Sequence, residues 1–136
     1  MQKDSSIKTK NMKKLLFIAL LLFSTWVEAQ STLKAISLRF GERLNVDDPF
    51  EWDEMDTGLN IPVHITEDNT ITIYSKVQQR YIAIDAGKDL DENTTMWKTI
   101  DLDGSRCNVY LTYMENSLYM LVEYRTIGWY YELIEY

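Results

Sequence analysis

Beyond residue 30 the apolar residues recur at every second position, and nowhere with the three-to-four-residue period of a helix face. The recurring types are Ile, Val, Thr and Tyr, which suit a pleated, half-buried surface. The chain is therefore expected to be all-β, made of short strands and tight turns. Alternation also makes each hairpin register checkable. A correct register sets apolar residues opposite one another, whereas a slip of one residue turns every side chain to the other face.

A two-residue loop at Glu115-Asn116 passes this check along its length, pairing Tyr113 with Leu118, Leu111 with Met120, Val109 with Val122 and Cys107 with Tyr124. A three-residue loop Glu67-Asp68-Asn69, with Asn suited to left-handed backbone, pairs Ile65 with Ile71 and Val63 with Ile73. A four-residue loop from Lys76 to Gln79 predicts Ile73 opposite Ile82 and Ile71 opposite Ile84. Asp103-Gly104, the strongest short hairpin signal, predicts Ile100 opposite Cys107 and Asp101 opposite Arg106, although it turns Lys98 inward. Ile127-Gly128 read as a turn predicts Tyr124 opposite Tyr131 and Val122 opposite Leu133.

These turns divide the chain into two antiparallel meanders, three strands over residues 60–86 and four over 94–136. A further strand carries Ile36, Leu38 and Phe40, and Phe50-Glu51-Trp52 adds a short piece. Gly87 to Thr95 reads as an acidic loop, and the charge-rich segment 42–59 as the loosest region. About eight short strands in one small domain predict a closed or nearly closed barrel, or a two-sheet sandwich, and sequential meanders favour the barrel.

Residues 1–29 read as a cleaved secretory signal peptide. Lys13 and Lys14 precede the apolar run Leu15 to Phe23, and Val27-Glu28-Ala29 offers small residues before a cut at Gln30. The run is too short for a membrane helix, which needs about 20 apolar residues. Met12-Lys13-Lys14-Leu15 would itself make a typical start, so Met12 is a candidate initiator. No Cys follows the apolar run to take a lipid. The expected product is a single domain, 30–136, secreted or periplasmic and free of a membrane anchor.

Removing the leader changes the charge. The whole chain carries −7, whereas residues 30–136 hold 9 Lys/Arg and 19 Asp/Glu, a net −10. Such an acidic domain is a poor partner for nucleic acid or anionic membrane. Its one cysteine, Cys107, cannot form an internal bridge.

The order Ile71-x-Ile73-Tyr74-Ser75, Gln79-x-Tyr81, Asp101-x-Asp103-Gly104-x-x-Cys107, Leu118-Tyr119 and Trp129-x-Tyr131 resembles a group of small exported β-proteins of Bacteroidota. The leader ending in Ala-Gln is similar to leaders of that phylum. The resemblance spans roughly residues 50–134. It implies the β fold and the export, and it brings no activity, cofactor or catalytic residue.

The chemistry-bearing residues are few. His64 alternates away from the Ile61/Val63/Ile65 face, and no Gly-x-Ser-x-Gly elbow exists for a serine nucleophile. Cys107 alternates onto the apolar face, where a thiol behaves as a small hydrophobe. Two His and Cys in total are too few for a zinc site. Acidic clusters offer calcium candidates at Asp85, Asp89, Asp91 and Glu92, or at Asp47, Asp48 and Glu51. Asp89-x-Asp91-x-Asn93 copies the first ligands of an EF-hand, but Thr94 stands where that loop needs Gly and Ile100 where it needs Glu. In the last hairpin Glu123 is expected opposite Glu132, a candidate acid/base pair if buried and a solvated charge ladder otherwise.

The remaining feature is aromatic. Tyr110, Tyr119, Tyr130 and Tyr136 fall on the face opposite the apolar one, with Leu121 and Ile134. A sheet with one wet face should not carry them. Either the 42–59 segment with Phe50 and Trp52, or a second sheet, covers that face, or it receives a glycan, peptide or protein partner. The expected function is a non-catalytic binding module without a cofactor. Behind it stand a small lipocalin-like barrel carrying an apolar ligand and, third, an enzyme using paired carboxylates.

Overall fold

The computed structural model describes residues 33–135, which form ten strands and no helix. The strands are β1 (Leu33–Glu42), β2 (Glu51–Trp52), β3 (Asp56–Ile65), β4 (Thr70–Ile73), β5 (Gln79–Ala83), β6 (Lys88–Asp89), β7 (Thr94–Ile100), β8 (Arg106–Met114), β9 (Ser117–Glu123) and β10 (Ile127–Glu135). Eight of them run antiparallel in the order β1-β3-β4-β5-β7-β8-β9-β10, and β10 returns to pair with β1. The sheet is thus a closed small barrel, which leaves no free edge around its circumference. The two-residue strands are appendages, β2 beside the end of β1 and β6 beside β7. The expected signal peptide, Met12 and Tyr136 lie outside the described residues.

Two hairpins have the expected registers. Glu115 and Asn116 both adopt left-handed backbone, with φ of 47° and 70°, so the two-residue turn twists with its strands and Leu111 meets Met120. Asn69, at φ 63°, closes the loop that sets Ile65 opposite Ile71.

Three hairpins differ. In β4–β5 the register is Ile73 opposite Gln79 and Ile71 opposite Tyr81, three residues from expectation. This odd shift reverses the faces of β5, burying Tyr81 and leaving Ile82 and Ile84 exposed. In β7–β8 the register is one residue off, with Ile100 opposite Arg106 and Thr99 opposite Cys107. The cause is the Asp101 carboxylate, which accepts the backbone N–H groups of Asp103 and Ser105 and widens the expected two-residue turn into a five-residue loop. Lys98 consequently points outward, and Trp97 and Thr99 take the interior. In β9–β10 the turn is Tyr124-Arg125-Thr126, so Val122 faces Trp129 and Leu118 faces Leu133. This four-residue shift preserves the faces but separates Glu123, opposite Gly128, from Glu132, opposite Tyr119.

β1 changes phase at a bulge between Ala35 and Ser37. Leu33 and Ala35 face inward before it and Leu38 packs against the core after it, leaving Ile36 as the extra residue. The expected Ile36, Leu38, Phe40 face therefore holds only beyond the bulge.

Side chains fill the barrel interior. Leu33, Val63, Ile71, Ile73, Val109, Met120, Val122 and Leu133 are fully buried alongside the larger Tyr81 and Tyr131. The buried hydroxyls have partners, as burial of a polar group requires. Tyr81 and Tyr131 both donate to Gln79 Oε1, at 2.6 and 3.3 Å, and Tyr124 donates to Asp101 Oδ2 at 2.6 Å.

Candidate functional site

With the interior packed, the candidate site lies on the barrel's outer face. Outward positions of neighbouring strands form cross-strand rows. One row runs Met96, Tyr110, Leu121, Tyr130, Arg39; the next toward the β9–β10 turn runs Lys98, Asn108, Glu123, Gly128, Gly41. The second row ends in two glycines directly opposite each other, which leaves a flat patch without side chains.

Phe50 and Trp52 fill that patch. A Cβ on Gly41 would lie 2.6 Å from Trp52 Cε3, and one on Gly128 would lie 3.0 Å from Phe50 Cζ. Strand β2 holds the aromatics in place, with Trp52 registered against Gly41 and Asp53 N–H donating to the Phe40 carbonyl at 2.8 Å. From there the rings continue across the sheet. Phe50 lies 5.1 Å from Trp52, Trp52 lies 5.8 Å from Tyr130, and Tyr130 stacks on Tyr119 at 5.8 Å with planes 4° apart. Arg43 begins the run, its guanidinium 4.1 Å above the Phe50 ring.

Arg43 anchors the whole 43–50 segment. Its Nε donates to the Arg125 carbonyl at 2.8 Å and Nη2 to the Tyr124 carbonyl at 3.0 Å, while Nη2 also pairs with Glu123 Oε2 at 3.2 Å. The side chain is only 6% exposed. A segment expected to be loose is thus fastened to the β9–β10 turn by one buried cation, whose role no local sequence pattern announces. The opposed glycines, sharing a face otherwise rich in tyrosine, are the signal that could have located the cover.

The expected aromatic residues divide. Tyr119 and Tyr130 come together in the ring ladder, and burial raises both phenol pKa values, with Glu132 adding to the effect at Tyr119. Tyr110 shares the face but is tied elsewhere: its hydroxyl donates to Glu123 Oε1 at 2.8 Å, and burial together with that carboxylate pushes its pKa up to about 12. Asn108 Nδ2 donates to the same Glu123 oxygen at 3.2 Å. The Glu123 and Glu132 carboxylates do not form the expected cross-strand pair, and Ser117 Oγ donates to Glu132 Oε2 at 2.9 Å.

Among the described residues, no three His, Cys, Asp or Glu side chains gather as metal ligands. Of the calcium candidates, Asp89 accepts from Thr95 Oγ1 at 2.7 Å across the β6–β7 pair, and Asp91 accepts from the Asn93 N–H at 2.8 Å within the turn between them. Asp85 and Glu92 do not join them in a common cage, nor do Asp47, Asp48 and Glu51 form one. Cys107 is buried with Sγ 3.1 Å from Thr99 Oγ1, and burial raises its thiol pKa. His64 lies on the outer side of β3, registered against Thr72.

Comparison of the chain with protein-family models, with curated proteins and with solved structures finds no match.

Proposed function

We propose that this protein is a non-catalytic glycan-binding module that works outside the cytoplasm. The observation that carries the reading is the partly exposed ladder Trp52-Tyr130-Tyr119 on the outer face of a closed barrel. Planar rings offer a sugar's C–H faces a large apolar contact at low entropic cost. Arg39 and Glu132, registered beside Tyr130 and Tyr119, supply a donor and an acceptor along the ladder. The rings stand on strands rather than loops, so little ordering is required on binding.

Other readings find less support. Glu123 is committed to Tyr110, Asn108 and Arg43, and its expected partner sits on another row, which weakens a paired-carboxylate enzyme. The small barrel is compatible with lipocalin-like architecture, but Tyr81 and Tyr131 occupy interior space that an apolar cargo would need. The leader-like run at Leu15 to Phe23 and the resemblance to exported Bacteroidota β-proteins support the location.

The test is a glycan array on the 30–136 product followed by calorimetry of the strongest ligand. Tyr119→Ala and Tyr130→Ala should each weaken binding by about tenfold, roughly 1.4 kcal/mol, with the domain still folded by circular dichroism. Unchanged affinity in both variants would remove the ladder as the site. A peptide ligand with no glycan bound would replace the reading.

A further inference from the structure

A second feature of the outer face has a different chemistry. Where the 43–50 segment crosses toward β7 and β8, it leaves a cleft of about 240 Å³. Its floor is the row Lys98, Asn108, Glu123. Arg106, at the start of β8, and Arg125, in the β9–β10 turn, flank it, while Val46 and Ile84 form apolar walls.

The charge balance of the cleft is opposite to that of the chain. Four of the nine basic residues in 30–136 line it, against one carboxylate, Glu123. Arg43 neutralises that carboxylate at 3.2 Å. Lys98, Arg106 and Arg125 remain, and among the described residues none of the three makes an ion pair or a side-chain hydrogen bond. In a domain with a net charge of −10, carboxylates to pair with them are plentiful, yet none is placed there. Like charges held in one concavity repel, and the repulsion is relieved when an anion enters. The walls add a second requirement. Val46 is 51% exposed and Ile84 40% exposed, so two aliphatic side chains face water beside the cations.

We infer that this cleft binds a small amphiphilic anion, an organic phosphate or carboxylate whose charged group meets Lys98, Arg106 and Arg125 and whose hydrocarbon part lies against Val46 and Ile84. The volume corresponds to about eight water molecules at ~30 Å³ each. That accommodates an oxyanion head with a chain of roughly six carbons. This site is separate from the aromatic ladder and does not depend on the ladder's ligand. The two share only the 43–52 segment, which walls the cleft with Val46 and caps the ladder with Trp52.

The experiment is calorimetric and NMR titration of the 30–136 product with hexyl phosphate, hexanoate, inorganic phosphate and hexanol. Hexyl phosphate or hexanoate should bind, and the stronger of the two identifies the head group. Inorganic phosphate should bind at least about tenfold more weakly, and hexanol not measurably. Chemical-shift changes should centre on residues 98, 106, 108 and 125. The double variant Arg106→Gln/Arg125→Gln should weaken the anion by about tenfold or more, as should raising the ionic strength to about 1 M, where the screening length is ~3 Å. Lys88→Gln, which removes a cation outside the cleft, should leave affinity unchanged. All substituted side chains are exposed, so unchanged melting curves will verify the fold. The inference is overturned if no probe binds, if hexanol binds as well as the anions, or if the double variant binds like the parent.

Discussion

Gly41→Ala tests whether the ring over this glycine fixes the outer face. The added methyl would lie 2.6 Å from Trp52 Cε3 and 2.8 Å from Cζ3, whereas ordinary contact begins at 3.4 Å. The indole must therefore retreat by about 0.8 Å, away from a position shared with Phe50 and Tyr130. Overpacking of this kind costs about 1–3 kcal/mol. Against it stands a gain of about 0.4–1 kcal/mol from the lower entropy of the unfolded chain, because Gly41 does not need left-handed backbone. The net expectation is a loss of roughly 1–2 kcal/mol, seen as a Tm lower by about 5–15 °C in a domain of this size. A double-mutant cycle with Trp52→Ala isolates the cause. Without the ring, Gly41→Ala should become neutral or stabilising, giving a coupling of about 1–3 kcal/mol between the two positions. Urea unfolding of the four proteins measures it. A coupling below about 0.5 kcal/mol would refute the contact as the reason for the glycine. Gly128→Ala provides the graded comparison, since its methyl would stand 3.0 Å from Phe50 and requires a smaller retreat.

Other expectations concern charge, turn and thiol. Burial pushes the Asp101 carboxyl up, but bonds from Tyr124, Ser105 and Asp103 outweigh it and hold the pKa below the usual carboxylate value. With the folded pKa depressed, its stabilisation is present above about pH 4 and is lost as pH falls through the folded value. Asp101→Asn should therefore flatten the melting temperature between about pH 4 and pH 2, and an acid limb as steep as the parent's would contradict this. Asn116→Val should cost about 1–2 kcal/mol because φ is 70° there, whereas Asn116→Gly should be close to neutral; equal losses in urea melts would argue against a left-handed turn. Cys107 should react with a thiol reagent far more slowly in native buffer than in urea, because burial both hides the thiol and raises its pKa. Comparable labelling rates would place it at the surface.

The registers show which forces are local. Hairpins at Asn69 and Glu115-Asn116 were readable because the residues that permit left-handed backbone sit in the turns themselves. The β9–β10 turn was not, because its Tyr124 and Arg125 carbonyls are satisfied by Arg43, more than 80 positions away in the chain. The β4–β5 register misled for another reason. Ile82 and Ile84 look like the natural core, yet the interior takes Tyr81, whose hydroxyl finds Gln79 on the same strand. In β7–β8 a side chain rather than a dipeptide sets the loop, through the Asp101 carboxylate. The aromatic face itself was legible from alternation, and Phe50 and Trp52 were one of several covers left open for it, but the glycine pair beneath them was not. The cationic cleft was illegible, because its registers on β7, β8 and the β9–β10 turn differ from those expected and because Arg43, with the segment that walls the cleft, reaches them only through the β1–β10 seam.

That closure has a consequence in time. The seam between β1 and β10 is the longest ladder in the sheet, running from Leu33 opposite Glu135 to Glu42 opposite Ile127. Its two sides are made about a hundred residues apart, so the contact that seals the barrel is also among those with the greatest loop to close. A chain synthesised from its N-terminus holds β1 with an unmatched edge until β10 arrives, a state open to pairing with other chains. The seam therefore acts as a check on completeness. A chain cut short within β10 has two open edges and no closed form to reach.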